Sequence, residues 1–187
     1  MGATAQDRYG SAGGKARLRV QSVAQETDYT CGPASLRAVL SYWGVGASEK
    51  EIAEKAHTTP SAGTSHSGMV AAARAYGMYG DSMYGSGITD LEMRIDRGMP
   101  VIVNFIPEEG GGAQAGPEPR YGHYSVVIGY DRDSLFMMDV DGGRERSMGK
   151  GAFESLWFSE MYGRRWMLVL YPWQHPGRKK VKPGRAG

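Results

Sequence analysis

Two hydrophobic rhythms run along the chain, and the change from one to the other divides it. Leu36, Val39, Leu40 and Trp43 recur at three- and four-residue steps behind Cys31. That period predicts an amphipathic helix opening at Cys31 and stopping at Gly44. Ser48 to Glu51 reads Ser-Glu-Lys-Glu, a capping box that opens a second helix ending near His57. A third helix is expected over GMVAAARAYG, residues 68–77, capped by Thr64, Ser65 or Ser67. Thr89-Asp90-Leu91-Glu92 is a further capping box, starting a short helix that runs to about Arg97.

Beyond Gly98 the rhythm changes. VIVNF, residues 101–105, is a continuous apolar run that suits a central strand covered on both faces. HYSVVIGY and LFMMDV follow, joined by the turn Asp131-Arg132-Asp133-Ser134, and RRWMLVLY closes the series after a short helix near Ala152 to Trp157. Weaker strands are expected over Arg17 to Val23 and Met78 to Ser86. The expected fold class is therefore α+β, with N-terminal helices packed on a C-terminal antiparallel sheet. One segment breaks the pattern: Pro107 to Gly122 is rich in Gly and Pro and leads straight into His123. A lid over a cleft and a tolerated insertion both fit it.

Composition places this pattern in one domain. The 187 residues, 41% of them hydrophobic, suffice for a sizeable core. A lone cysteine excludes an internal disulfide and suits a reducing compartment, and no apolar run approaches the roughly 18 residues needed to cross a bilayer. A cytoplasmic location is expected. The net charge of +2 is unevenly spread. Arg8, Lys15, Arg17 and Arg19 oppose only Asp7 at one end, and Arg178, Lys179, Lys180, Lys182 and Arg185 stand unopposed at the other. The expected organisation is a basic flexible tail at 1–19, one domain at 20–173 and a second basic flexible tail at 174–187. Such tails are usually solvated; an acidic partner, RNA or an anionic membrane surface is the alternative use.

The chemistry centres on Cys31. At the start of a helix, unpaired backbone N–H groups and the positive end of the macrodipole favour a thiolate over a thiol. Pro33 is tolerated in a first turn, and Gly32 lets another chain approach closely. The plainer reading is a small buried hydrophobe. Gln25, six residues earlier, can bring its amide beside the sulfur and form, with the Cys31 N–H, a two-donor hole for an oxyanion. His123 and Asp139 stand far downstream, at the start of one strand and near the end of its hairpin partner. Cysteine, histidine and carboxylate from separate elements are the parts of a Cys-His-Asp triad. His57, near a helix end, reads as structural, and His66 as a loop histidine. One cysteine and scattered histidines lack metal-ligand spacing, so neither a metal nor a cofactor is expected.

Four ordered motifs carry a resemblance: Gln25 with DYTCGPASL, GMPVIVNF at Gly98 to Phe105, GHYSVVIGYD around His123, and the strand ending in Asp139. Over roughly Val20 to Pro172 the chain resembles the papain-like cysteine peptidases of the bacteriocin-processing type, which remove double-glycine leader peptides. It departs from that pattern in having Thr30 before Cys31, where the family usually has Asp, and Val140 after Asp139, where it has Pro.

The resemblance implies a papain-like fold, with Cys31 as nucleophile, His123 as general base and acid, Asp139 as orienter of the imidazole and Gln25 as oxyanion donor. It also implies a peptide or protein substrate cleaved after Gly-Gly, and a transporter partner. An acyl transferase or isopeptidase would use the same thioester. A non-catalytic peptide-binding module of the same fold would not need Gln25, Cys31, His123 and Asp139 together.

Overall fold

The computed structural model describes residues 16–107, 122–159 and 163–172. Its elements run β1 (Ala16–Arg17), α1 (Cys31–Tyr42), α2 (Glu49–Lys55), α3 (His66–Ala75), β2 (Met78–Met83), α4 (Ile88–Asp96), β3 (Val101–Phe105), β4 (His123–Tyr130), β5 (Ser134–Asp139), β6 (Arg144–Gly149) and α5 (Lys150–Leu156). Two two-residue strands, β7 (Phe158–Ser159) and β8 (Gly163–Arg164), pair with each other before β9 (Met167–Pro172). Helices pack on one antiparallel sheet ordered β2-β9-β3-β4-β5-β6, as the α+β expectation had it.

Four helix boundaries have a local cause. Gly44 adopts φ +81°, a left-handed conformation that ends α1 at almost no steric cost. Ser48 Oγ accepts from the Glu51 N–H while Glu51 Oε2 accepts from the Ser48 N–H, so the expected capping box opens α2. Ser65 wins the competition to cap α3 by accepting from the Gly68 N–H at 3.0 Å. His66 is therefore the first residue of a helix, not a loop residue. The start of α4 also differs from expectation. Asp90, not Glu92, turns back, its Oδ2 accepting from the Gly87 N–H at 2.8 Å, and the helix begins at Ile88.

β3 lies between β4 and β9 and is almost wholly buried, as its apolar run requires. β4 is the strand on which the site depends. β3 flanks it from His123 to Val127, and β1 pairs with it at Gly129 and Tyr130. A register shift between Val127 and Gly129 marks the crossing, and Gly129 admits β1 because a Cβ there would lie 2.7 Å from the Ala16 carbonyl oxygen. Ala16 and Leu18 are buried. The packed domain thus reaches back to Ala16, four residues before the boundary expected at Val20. The remainder of both basic tails, and residues 108–121 of the Gly- and Pro-rich segment before His123, lie outside the described residues. Among the described residues no helix is long and apolar enough to cross a membrane.

Candidate active site

The sheet and α1 bring three distant residues together. Cys31 heads α1 and is half-buried. His123 heads β4 and Asp139 ends β5, and these two ends meet because the strands are hairpin neighbours. His123 Nε2 and Asp139 Oδ1 are 2.8 Å apart. Cys31 is close enough to the imidazole to act on its proton affinity. With Nε2 turned to the carboxylate, Nδ1 on the opposite side of the ring is the nitrogen left for the sulfur. The imidazole rests edge-on to Phe105, its direct register partner on β3, at 5.7 Å between ring centroids.

Electrostatics at this site favour a charged imidazole. Burial works against the cation, but the hydrogen bond to Asp139, the nearby Cys31 sulfur and the negative charge on both residues outweigh it, pushing the His123 pKa up to about 9. Asp139 is buried, which alone would raise its pKa. Its hydrogen bond to His123, the imidazolium charge, the Asp141 N–H and Arg146 together hold it below the usual carboxylate value. Every oxygen of the carboxylate is engaged. Oδ1 takes the His123 Nε2 and the Asp141 N–H at 3.0 Å, and Oδ2 takes Arg146 Nη1 at 2.8 Å.

Arg146 is the residue that sequence reading missed. It lies on β6, whose sequence RERSMG carries no apolar alternation to mark it as a strand. The β5–β6 register sets Arg144 opposite Asp139 and Arg146 opposite Met137, so the Arg146 guanidinium reaches Asp139 along the diagonal of the strand pair.

Gln25 sits on the loop before α1. Its backbone N–H donates to the Val140 carbonyl at 2.9 Å, so the loop is tied to the residue that follows Asp139. Val140 is fully buried where the resembled family has proline, and its carbonyl holds Gln25 without one. The Gln25 Oε1 is buried and has no hydrogen-bond partner among the described residues. A planar amide with its oxygen turned inward carries its Nε2 on the other arm, the donor an oxyanion would need.

Thr30 replaces the expected Asp without capping α1. Its hydroxyl accepts from the Thr27 N–H at 3.0 Å, and its side chain makes no capping bond to the helix. The N–H groups of the first turn, including that of Cys31, are therefore not occupied by the cap residue. On the other flank, a Cβ on Gly32 would lie 2.9 Å from Thr64, whose carbonyl accepts from Tyr124 Oη at 2.8 Å. Gly32 thus lets the 58–64 loop close down beside Cys31.

Among the described residues, the other two histidines, His57 and His66, stand apart from this set. His57 follows α2 in a left-handed conformation, φ 54°. The His66 ring stacks on Trp166 at 4.0 Å and 2°, and its Nδ1 lies 3.0 Å from Tyr84 Oη. Burial pulls the His66 pKa down to about 4. Among the described residues no group of three or more His, Cys, Asp or Glu stands together to hold a metal ion.

Known proteins are similar to this chain in sequence and in fold. The Peptidase_C39 like family matches residues 17–163. A protein of Methanothermobacter marburgensis is 33% identical over 127 residues, covering 66% of this chain and 74% of that protein. The peptidase domain of Streptococcus ComA, a bi-functional ABC transporter involved in a quorum sensing pathway, superposes with a TM-score of 0.66 at 26% identity, over 82% of this chain and 99% of that domain. A double glycine motif protease from an AMS/PCAT transporter, solved with its leader peptide, gives a TM-score of 0.63 at 18% identity over 83% and 94% of the two chains, a likeness of fold. With the family matched from β1 to β8 and the fold shared with its peptidase domains, the chain belongs to the C39-like peptidase family.

Proposed function

We propose that this protein is a cysteine peptidase that hydrolyses the peptide bond after Gly-Gly in a leader or precursor peptide. The observation that carries the reading is the hydrogen-bonded pair of His123 and buried Asp139, 2.8 Å apart, with Cys31 close enough to the imidazole to raise its pKa. His123 takes the Cys31 proton, and the thiolate attacks the scissile carbonyl. Gln25 Nε2 and the Cys31 N–H hold the oxyanion. His123 then protonates the leaving amine, and water activated by the same imidazole releases the acyl group from the thioester. Asp139 keeps the imidazole in one orientation throughout. The raised His123 pKa supports this cycle, because an imidazolium beside sulfur stabilises the thiolate.

Preference for glycine is proposed from the likeness to a double glycine motif protease. A peptide substrate and a transporter setting are proposed from the likeness to the transporter peptidase domains. The test is cleavage of peptides carrying an internal Gly-Gly, analysed by mass spectrometry. The parent should cut after the second glycine and C31A should not. Cleavage surviving in C31A would overturn the assignment, and stable thioester transfer to an added amine would point to a transferase.

A further inference from the structure

Glu49 is a carboxylate that the mechanism leaves unused, and it is 1% exposed. Its Oε1 accepts from the backbone N–H of Glu26 at 2.8 Å, while Oε2 is buried with no hydrogen-bond partner among the described residues. A buried polar group with half its acceptors unmet is costly, so a role that needs this side chain is the better account of it.

The role follows from three successive amides. The Gln25 N–H is held by the Val140 carbonyl, the Glu26 N–H by Glu49, and the Thr27 N–H by the Thr30 hydroxyl. The loop before Cys31 is thus fastened to the end of β5, to α2 and to the start of α1. Glu49 supplies the middle fastening. Half-buried Arg37, 3.6 Å from the exposed Glu26 carboxylate, adds little against solvent.

We propose that Glu49 is a positioning residue for the oxyanion hole, fixing the peptide unit next to Gln25 so that the amide side chain meets the developing charge. This inference rests on the peptidase reading above. Without Glu49 the loop keeps its two outer bonds but loses the one adjoining Gln25, and donors that drift stabilise a transition state poorly.

A double-mutant cycle on cleavage of a fluorogenic Gly-Gly-aminomethylcoumarin peptide tests it. E49A should lower kcat by about tenfold with KM little changed, because an oxyanion donor acts in the transition state. E49Q, whose carbonyl still accepts from Glu26, should recover most of that loss. Q25A/E49A should be no slower than Q25A, since nothing remains for Glu49 to position. If E49A does not fold, E49M replaces it, with the volume kept and the acceptor removed. Losses that multiply in the double variant, or an E49Q as slow as E49A, would overturn the inference while leaving the peptidase reading intact. A parent whose cleavage is unaffected by C31A would remove the reading itself, and the inference with it.

Discussion

Arg146 Nη1 lies 2.8 Å from Asp139 Oδ2, on the carboxylate oxygen that His123 does not use. Asp139 therefore stands between two cations and is locked from both sides. The arginine is two-fifths exposed, so its electrostatic effect is partly screened, whereas its hold on carboxylate orientation is geometric. R146M should release that hold and lower kcat several-fold. Removing a nearby positive charge also makes the imidazolium easier to keep, so the alkaline limb of kcat/KM, expected near the His123 value of about 9, should move upward. A pH-rate profile of parent and variant reads both effects.

Stability should respond to pH through two histidines with opposite signs. The folded His123 pKa, about 9, lies above its ordinary 6.5. The folded state therefore binds the proton more tightly, and the stabilisation is complete below 6.5 and lost as pH rises through 9. The folded His66 pKa, about 4, lies below 6.5. There the unfolded chain binds the proton better, and stability is lost as pH falls from 6.5 toward 4. Thermal melts across this range should show a maximum between the two windows. H66F, which keeps a ring on Trp166 but cannot ionise, should flatten the acid side only.

Gly32 is a packing requirement as well as a neighbour of the sulfur. A methyl group there meets Thr64 at 2.9 Å and Met69 Sδ at 3.1 Å. G32A should destabilise by about 1–3 kcal/mol as the 58–64 loop is pushed away, seen as a lower urea midpoint with an unchanged m-value. Because Tyr124, the residue after His123, is bonded to that loop, cleavage should fall further than stability alone explains.

The extent to which the fold was legible follows from how strongly each segment advertised its surroundings. α1, β3 and β4 carry apolar patterns that only burial explains, and Ser48 with Glu51 forms a box with no nearby rival. Where two caps competed, local reading chose wrongly. Thr89 and Glu92 have the right spacing, yet Gly87 with Asp90, two residues earlier, takes the helix start. β6 was illegible because an edge strand exposed along most of its length has no periodic burial to display. β1 is only two residues long, and its place depends on Gly129 across the sheet.

The site divides along the same line. Cys31 and His123 head their elements and Asp139 closes its strand, so local patterns placed all three at ends that can meet. Arg146 meets Asp139 along the diagonal of the β5–β6 pair, and Glu49 meets the loop before Cys31 from the first turn of α2; both contacts are tertiary and no local pattern announces them.

The central claim is that His123 and Cys31 form an ion pair that activates the sulfur. The chain has a single cysteine, so modification by iodoacetamide is read unambiguously as one added mass. At about pH 6 His123 should be protonated. The parent should then be alkylated at least about tenfold faster than H123A, because the imidazolium holds the thiolate that the variant lacks. Equal rates in the two proteins, or no modification of either, would contradict the ion pair and leave Cys31 a half-buried side chain at the head of a helix.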